Sequence, residues 1–216
     1  ANRWGVTPGK RIALFTNNTW HVTDQFDVTL GLRYTQDNKR LLALQDNVGT
    51  NGAACGGALA NIGALATVLG GAGGAAAGLP AAQRIAGNIC LPWANAAYDN
   101  RRISESTDDG ELSGTIKASY RFNDSVMAYG SFARGYKSFG YNLDRVQTGI
   151  TPVNSLLFPS ETVDSYELGL KNTLFNRSVL LNLTYFHQTF EDFQLNTFLG
   201  TAFVVESIPE LKSQGF

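Results

Sequence analysis

The 216-residue sequence predicts an all-β fold, an antiparallel transmembrane β-barrel section of about seven strands of a larger barrel, with a helical extracellular loop insertion. Three observations lead to this prediction. Apolar and polar residues alternate with period two over long stretches. Short polar turns alternate with long loops along the chain. Charged residues make up only 16% of the sequence, below the roughly 25% of soluble domains, although the mean hydropathy is −0.10.

The alternation marks four long strands, at Val28–Thr35, Glu111–Phe122, Thr162–Lys171 and Val179–Gln188. In the second of them, every other residue from Leu112 to Phe122 is apolar or small, and the residues between are polar. Strands of this length suit a tilted crossing of a bilayer, whereas strands of a soluble sandwich average about five or six residues. We therefore expect Ile116 and Leu168 to face lipid, and Lys117 and Glu167 to face the lumen.

The connections differ in length at the two ends of these strands. Three are short and polar: Thr23-Asp24-Gln25, Asn123-Asp124-Ser125 and Asn172–Arg177. The connections after Asp37, Ser138 and Asp192 are long. Outer-membrane barrels have short periplasmic turns and long extracellular loops. This asymmetry predicts that the short turns are periplasmic.

Aromatic residues mark two levels along the strands. Trp20, Phe26, Phe122 and Phe175 lie near the short turns, and Tyr34, Tyr136 and Tyr185 lie near the long loops. Two such levels are typical of interfacial girdles. The general preference of Tyr and Phe for strands is the alternative explanation.

A long insertion at residues 38–103 interrupts the strands, and we expect it to be extracellular. Its apolar residues Leu59, Ile62, Leu65 and Leu69 recur at helical spacing, with Gly70 as a C-terminal cap. Pro80 is expected to open a second short helix that ends before Gly87. Glycines and Pro80 also break the uncharged run from 53 to 83, so no membrane-spanning helix is predicted.

Both cysteines of the chain, Cys55 and Cys90, lie in this insertion. Their confinement to one segment favours a disulfide over two unrelated thiols, and with it an oxidising compartment. On the chain-entropy model such a loop contributes about 3–4 kcal/mol.

Several function classes receive no support from the sequence. The net charge of −1 and the pI of 6.1 argue against a nucleic-acid partner, which requires a basic patch. The two histidines, His21 and His187, lack neighbours at metal-ligand spacing. No nucleophile motif is present. We therefore predict no catalytic residue, no metal site, no cofactor and no enzymatic activity.

Five segments resemble, in order, motifs of TonB-dependent outer-membrane receptors. Leu30–Tyr34 resembles the family's GLRY strand, and SFARGYKSFGYN at Ser131–Asn142 resembles its ARGYKSGGFN signature. Phe158–Lys171 is similar to PETVDSYELGLK, Tyr185–Gln194 to a YF…DFQ strand end, and Ser213–Phe216 to a strand start. The chain is identified on these residues as a partial receptor barrel over residues 1–216.

The resemblance implies a barrel of about 22 strands filled by an N-terminal plug, which this chain lacks. It implies the bacterial outer membrane as the location, with membrane lipid around the wall. It also implies uptake of a scarce nutrient, such as a ferric siderophore, energised by the TonB complex through the plug. Two alternatives stay open: the wall of a passive porin, and a structural β-sheet fragment that self-associates edge to edge.

Site residues follow from the expected strand faces. In the signature strand, Met127, Tyr129, Ser131 and Ala133 are expected to face lipid, and Gly130, Phe132, Arg134 and Tyr136 the lumen. The candidates for lumen or plug contact are Arg33, Lys117, Arg134, Glu167 and Lys171. The candidates for extracellular ligand contact are Tyr136, Lys137, Phe139, Tyr141 and Arg145. The alternative for all of them is an ordinary hydrated residue of the lumen or rim.

Overall fold

The computed structural model describes residues 3–45, 52–90, 100–142, 155–198 and 203–216, which form a long-stranded sheet and a small helical unit. The strands are β1 (Arg3–His21), β2 (Phe26–Gln45), β3 (Arg101–Asn123), β4 (Val126–Lys137), β5 (Gly140–Tyr141), β6 (Leu157–Phe158), β7 (Glu161–Leu174), β8 (Val179–Phe198) and β9 (Phe203–Gly215). The helices are α1 (Gly52–Ala60), α2 (Ile62–Gly70) and α3 (Gly74–Ile89).

Seven strands form one antiparallel sheet in the order β1-β2-β3-β4-β7-β8-β9, and β5 pairs with β6 in a separate hairpin. The seven strands are 12–23 residues long. The sheet is open within the described residues, since β1 and β9 are its outermost strands. The prediction of about seven long antiparallel strands is thereby confirmed.

The short turns are stabilised by their own polar residues. The Oγ1 atom of Thr23 accepts hydrogen bonds from the backbone N–H groups of Gln25 and Phe26, at 3.2 and 3.0 Å. Asn123 accepts one from the Ser125 N–H at 2.8 Å. Such side-chain caps are how Ser, Thr and Asn favour turns. In the third turn Phe175, Asn176 and Arg177 all have positive φ.

The strands extend farther than the sequence alternation predicted. β2 and β3 stay paired out to Gln45 and Arg101, so the segment between them is shorter than the predicted 38–103 insertion. β8 continues to Phe198, and β9 begins at Phe203. The prediction of a long connection directly after Asp192 is therefore wrong. Backbone pairing continues there although the side chains no longer alternate, because the ladder needs only main-chain groups.

The two faces of the sheet differ in chemistry and in exposure. We call the face that carries Ile116, Phe132 and Leu168 the apolar face, and the opposite one the polar face. Along β3, the apolar-face residues from Leu112 to Phe122 are exposed except at Gly114, and the polar-face residues between them are half-buried. Leu168 is 66% exposed. A soluble sheet would show the reverse, so this surface is built for a non-aqueous environment.

Beyond Tyr34 in β2 and before Leu112 in β3, the apolar face becomes polar. We call this part of the two strands, residues 36–45 and 101–110, the outer ribbon. On the former apolar face it carries pairs such as Asn38 and Asp108, which are hydrogen-bonded. On the other face Leu41, Ala43 and Ile103 are buried against Leu156 of the loop between β4 and β7.

The helices of the insertion fold on one another as a hairpin. The segment Ile62–Ile89 is apolar and long enough for a membrane span, with a mean hydropathy of 1.5. The chain breaks at Gly71 and Gly74, whose φ angles are 53° and 66°, and α3 returns along α2. The two helices approach so closely that a Cβ on Gly78 would lie 2.4 Å from the Gly70 nitrogen.

Two details of the insertion differ from the prediction. The second helix begins at Gly74 and extends past Gly87 to Ile89, so Pro80 lies inside the helix and does not open it. The reason is the packing of Gly78, Ala82 and Ala86 against α2, which holds the flanking turns. The disulfide is confirmed: Cys55 and Cys90 are bonded and buried, and the bridge connects α1 to the end of α3.

Removing the bridge should loosen the insertion and leave the sheet intact. For a full-length receptor with Cys55→Ser and Cys90→Ser, we expect the insertion to lose about 3–4 kcal/mol. Limited proteolysis should then cleave between 52 and 90 faster than in the parent. Ala54→Ser, an exposed change in the same helix, is the control. Equal cleavage rates in parent and double mutant would show that the bridge does not hold the helices.

Candidate functional site

The segment between β4 and β7 folds inward over the polar face of the outer ribbon. Leu156, 2% exposed, packs on Leu41, Ala43 and Ile103, with Tyr141 beside them. The Tyr141 hydroxyl donates to Thr107 Oγ1 at 2.8 Å. The described part of this loop therefore forms a shelf on the polar side of the sheet.

Lys39 fixes the start of the shelf. Its ammonium donates to Ser138 Oγ at 2.9 Å and to the Phe139 carbonyl oxygen, and it lies 4.6 Å from the centroid of the Phe139 ring. Lys39 belongs to the outer ribbon, beyond the apolar band. Burial lowers the pKa of its ammonium, and the charge of Asp37 opposes that shift. The Lys39 ammonium is thus held by one aromatic ring and by two oxygen atoms of the loop.

Gln194 of β8 holds both ends of the loop. Its Nε2 atom donates to the carbonyl oxygens of Pro159 at 2.9 Å, Ser138 at 3.3 Å and Lys137 at 3.5 Å. Its backbone N–H donates to Glu161 Oε2 at 2.8 Å. Gln194 is 8% exposed. One buried amide thus connects the residues where the chain leaves β4 and where it approaches β7.

Carboxylates and one amide hold the rest of the shelf. Glu105 accepts from the Leu156 N–H at 2.9 Å and from Ser155 Oγ at 3.0 Å. Asn142 bonds both backbone groups of Val205 in β9, donating at 3.0 Å and accepting at 2.8 Å. The shelf is therefore attached to four separate strands, β2, β3, β8 and β9.

Next to the shelf lies an open pocket with a cavity volume of about 560 Å³. We call it the cationic pocket; its charged and aromatic lining residues are Arg11, Arg33, Arg134, Tyr136 and Lys137. Arg11 binds Asp37 through two nitrogens at 2.5 and 3.0 Å, and the Tyr136 hydroxyl donates to the same carboxylate at 3.3 Å. Arg33 and Lys137 have no carboxylate within ion-pair distance in the described ranges. The pocket therefore carries excess positive charge.

A second cluster lies lower on the polar face, around Tyr129. The ammonium groups of Lys117 and Lys171 lie 4.9 and 5.5 Å from the centroid of its ring. Its hydroxyl contacts Thr184 Oγ1 at 3.2 Å and Glu167 Oε2 at 3.5 Å. Gly169 makes room for the ring, because a Cβ there would lie 2.1 Å from Tyr129 Cε1. Three predicted lumen residues thus meet at one aromatic ring.

The predicted faces of the signature strand are wrong. Phe132 is paired with Ile116 on one side and with Tyr166 on the other, and Ser131 is paired with Lys117 and Glu167. Partners across a ladder share a face. Even-numbered residues of β4 therefore lie on the apolar face and odd-numbered ones on the polar face, opposite to the expectation.

The reversal of the faces of β4 applies to Arg134 as well. It pairs in register with Gly114 and Asp164 and forms an ion pair with Asp164 at 3.1 Å. It lies on the apolar face, opposite to Arg33, Lys117, Glu167 and Lys171. Tyr136 still reaches Asp37 because the pairing of β4 with β3 ends at Arg134 and leaves a gap there.

The residues predicted to contact a ligand lie in different places. Tyr136 and Lys137 line the cationic pocket. Phe139 is 2% exposed, and Tyr141 is half-buried, so both pack inside the shelf. Arg145 lies outside the described residues. Within the described ranges no group of three His, Cys, Asp or Glu side chains is arranged to hold a metal ion.

Sequence reasoning missed Arg11, Asp37, Lys39, Gln194 and Asn142. The polar residues at 37 and 39 continue the polar-face alternation of β2, and this continuation was the available signal for two of them. Gln194 and Asn142 act through backbone groups far away in sequence, and no local pattern marks such contacts.

An open antiparallel sheet with an exposed apolar face and polar clusters on the other side defines a section of an outer-membrane barrel wall. The family model of the TonB dependent receptor-like β-barrel matches residues 1–216. The chain belongs to this family, whose members are proteins of the bacterial outer membrane.

Known relatives agree with this placement. The pesticin receptor of Yersinia enterocolitica is 22% identical over 191 residues, which cover 88% of this chain and 20% of that protein. The ferric yersiniabactin uptake receptor FyuA from Yersinia pestis is similar in fold, with a TM-score of 0.61 and 20% identity over 96% of this chain and 23% of that one. The chain spans about a fifth of the length of the curated relatives that it matches.

Replacing Gln194 by Ala should release the shelf. The change leaves the carbonyl oxygens of Pro159 and Ser138 without their donor, so we expect hydrogen exchange in 138–142 and 155–160 to accelerate at least about tenfold, the equivalent of about 1.4 kcal/mol. Gln188→Ala is the matched control, since Gln188 lies on the same strand and, within the described ranges, its side chain bonds only to Ser165. Unchanged exchange would mean that Gln194 does not hold the loop.

Proposed function

We propose that this chain is part of the wall of a receptor that imports a scarce nutrient, such as a ferric siderophore, across the outer membrane with energy from the TonB complex. The observation that carries the proposal is the cationic pocket beside an inward-folded loop on the polar face. A shelf attached to four strands beside excess positive charge favours the binding of a specific anionic ligand over passive diffusion. A neighbour in fold is by its title a ferric yersiniabactin uptake receptor, which supports a ferric chelate as the ligand.

The apolar face is proposed to contact membrane lipid and the polar face the lumen. Leu14, Ile116 and Leu168 are exposed, and burying such side chains in hydrocarbon is favourable. The outer edges of β1 and β9 are proposed to pair with further strands of the complete barrel. The edge-to-edge association expected of an isolated fragment would then not occur in the receptor.

The Tyr129 cluster is proposed to contact the plug. Lys117 and Lys171 have no carboxylate within ion-pair distance in the described part of the chain. A plug carboxylate between them would be paired and partly desolvated, and this geometry makes charge-assisted hydrogen bonds strong. Arg33 is a third candidate for such contacts, whereas Arg134 lies on the wrong face.

The cationic pocket is proposed to bind the ligand, with Arg33 and Lys137 as the charged contacts and Tyr136 as a hydrogen-bonding one. Arg11 is largely neutralised by Asp37, which leaves it a positioning role. Phe139 and Tyr141 support the shelf and are not proposed as direct contacts.

The membrane placement can be tested on one strand. Leu168→Arg puts a charge into hydrocarbon and should cost about 2–4 kcal/mol near the midplane. Glu167→Gln changes a polar-face residue one position away and should cost little. Refolding of the full-length receptor into liposomes measures both free energies. Equal costs for the two variants would argue that both faces meet the same environment.

The uptake role can be tested by removing the unpaired charges. For the full-length receptor in iron-limited cells, Arg33→Gln with Lys137→Gln should weaken binding of a radiolabelled ferric siderophore that the parent imports by about tenfold or more. Lys212→Gln, a charge change on the other face, should leave binding unchanged. Uptake by the parent should stop in cells without TonB. Uptake that persists there would favour the passive pore.

A further inference from the structure

A groove with a volume of about 250 Å³ lies on the apolar face where β3 and β4 meet. Leu30, Leu32, Leu112, Ile116 and Phe132 line it, and Arg134 lies at its edge. Its lining is almost entirely hydrocarbon apart from this one guanidinium. The groove and the cationic pocket share Ser113, Gly114 and Arg134 in their linings.

The groove exists because Gly114, which pairs with Leu32 of β2, has no side chain on the apolar face. A Cβ on Gly114 would lie 2.4 Å from the Gly31 carbonyl oxygen and 3.1 Å from Leu32 Cδ2. No side chain therefore fills this part of the apolar face, and the leucines and Phe132 stand around it. The pairing of β3 with β4 also ends here, at Gly114 and Arg134.

Arg134 lies where the apolar face ends. In β4 it follows Phe132, and in β7 its partner Asp164 precedes Tyr166. The ion pair uses Nη1 alone, at 3.1 and 3.3 Å from the two Asp164 oxygens, and the Arg134 side chain is 42% exposed. Its Nη2 and Nε atoms have no hydrogen-bond partner in the described part of the chain. These two nitrogen atoms of the planar guanidinium are thus available to donate hydrogen bonds to an anion.

We propose that this groove binds one acyl chain of a phosphorylated lipid of the outer leaflet, with the lipid phosphate on Arg134. The inference rests on the membrane placement proposed above. Hydrocarbon lining suits an acyl chain, and the arginine fork matches the oxygen geometry of a phosphate. Asp164 keeps the guanidinium oriented and offsets part of its charge. The predicted loop topology places this end of the strands at the outer leaflet.

Native mass spectrometry of the full-length receptor can test the proposal. The probes are lipid A with its phosphates, the same lipid without phosphate, and inorganic phosphate alone. We expect one tightly bound copy of the phosphorylated lipid, weaker binding of the dephosphorylated lipid and no retention of inorganic phosphate. Arg134→Gln should weaken binding of the phosphorylated lipid about tenfold.

Two controls separate the groove from a general lipid surface. Lys212 lies in the same cross-strand row and on the same face as Arg134, and it is ion-paired with Glu210 at 2.9 Å. Lys212→Gln should leave lipid binding unchanged. Leu112→Trp fills the groove and should weaken binding of both lipids, whereas Leu168→Trp, away from the groove, should not.

Each outcome decides the proposal. Equal affinity of the parent for the two lipids, or an equal loss in Lys212→Gln and Arg134→Gln, would overturn it while the membrane placement stands. If Leu168→Arg and Glu167→Gln prove equally costly in the liposome experiment, the placement fails and this inference fails with it. Retention of inorganic phosphate alone would show an anion site without an acyl chain.

Discussion

The continuous backbone ladder across seven strands is the constraint on which the other features depend. A bilayer offers no water to unpaired N–H and C=O groups, so a wall of strands must satisfy them from strand to strand. Here the ladder continues through polar sequence as readily as through apolar sequence, which is why β2 and β3 rise well beyond the apolar band. That extension creates the outer ribbon, and the ribbon supplies the surface on which the inward loop packs.

The ladder also assigns every side chain to a face. A shift of one residue would exchange the two faces of a whole strand. In this sheet the polar face gathers Asp37, Lys39 and Glu105 at one end and the Tyr129 cluster farther down. The buried hydrophobic residues of the described sheet and its inward loop are few: Leu41, Ala43, Ile103, Phe139 and Leu156. Order in this molecule therefore comes from hydrogen bonding and from specific polar contacts more than from a large apolar core.

Most of the wall could be predicted from the sequence, because alternation and turn residues are local signals. The faces of β2, β3, β7 and β8 follow directly from it. The faces of the signature strand β4 could not be predicted in this way, since Gly130, Arg134 and Tyr136 weaken its alternation. Only the pairing of Phe132 with Ile116 and Tyr166 decides its faces, and pairing is not visible in one strand. The prediction that Pro80 opens a helix failed for a related reason. The packing of α3 against α2 outweighed the local preference of proline for the start of a helix.

The candidate site was the harder part. Tyr136 and Lys137 were found because they belong to a recognisable motif, while Gln194 and Asn142 act on carbonyl and amide groups of distant strands. The same distance in sequence explains why Phe139 was expected to meet a ligand and instead lies buried above Lys39. Local composition marks a loop as aromatic, but it does not show which way the loop folds.

Gly114 has no side chain on the apolar face, and the wall there is bare backbone beside the Gly31 carbonyl oxygen, which a Cβ at position 114 would approach to 2.4 Å. Gly114 borders the cationic pocket on one side and the groove on the other. A side chain at position 114 would therefore alter both surfaces at once, since this one backbone position borders each of them.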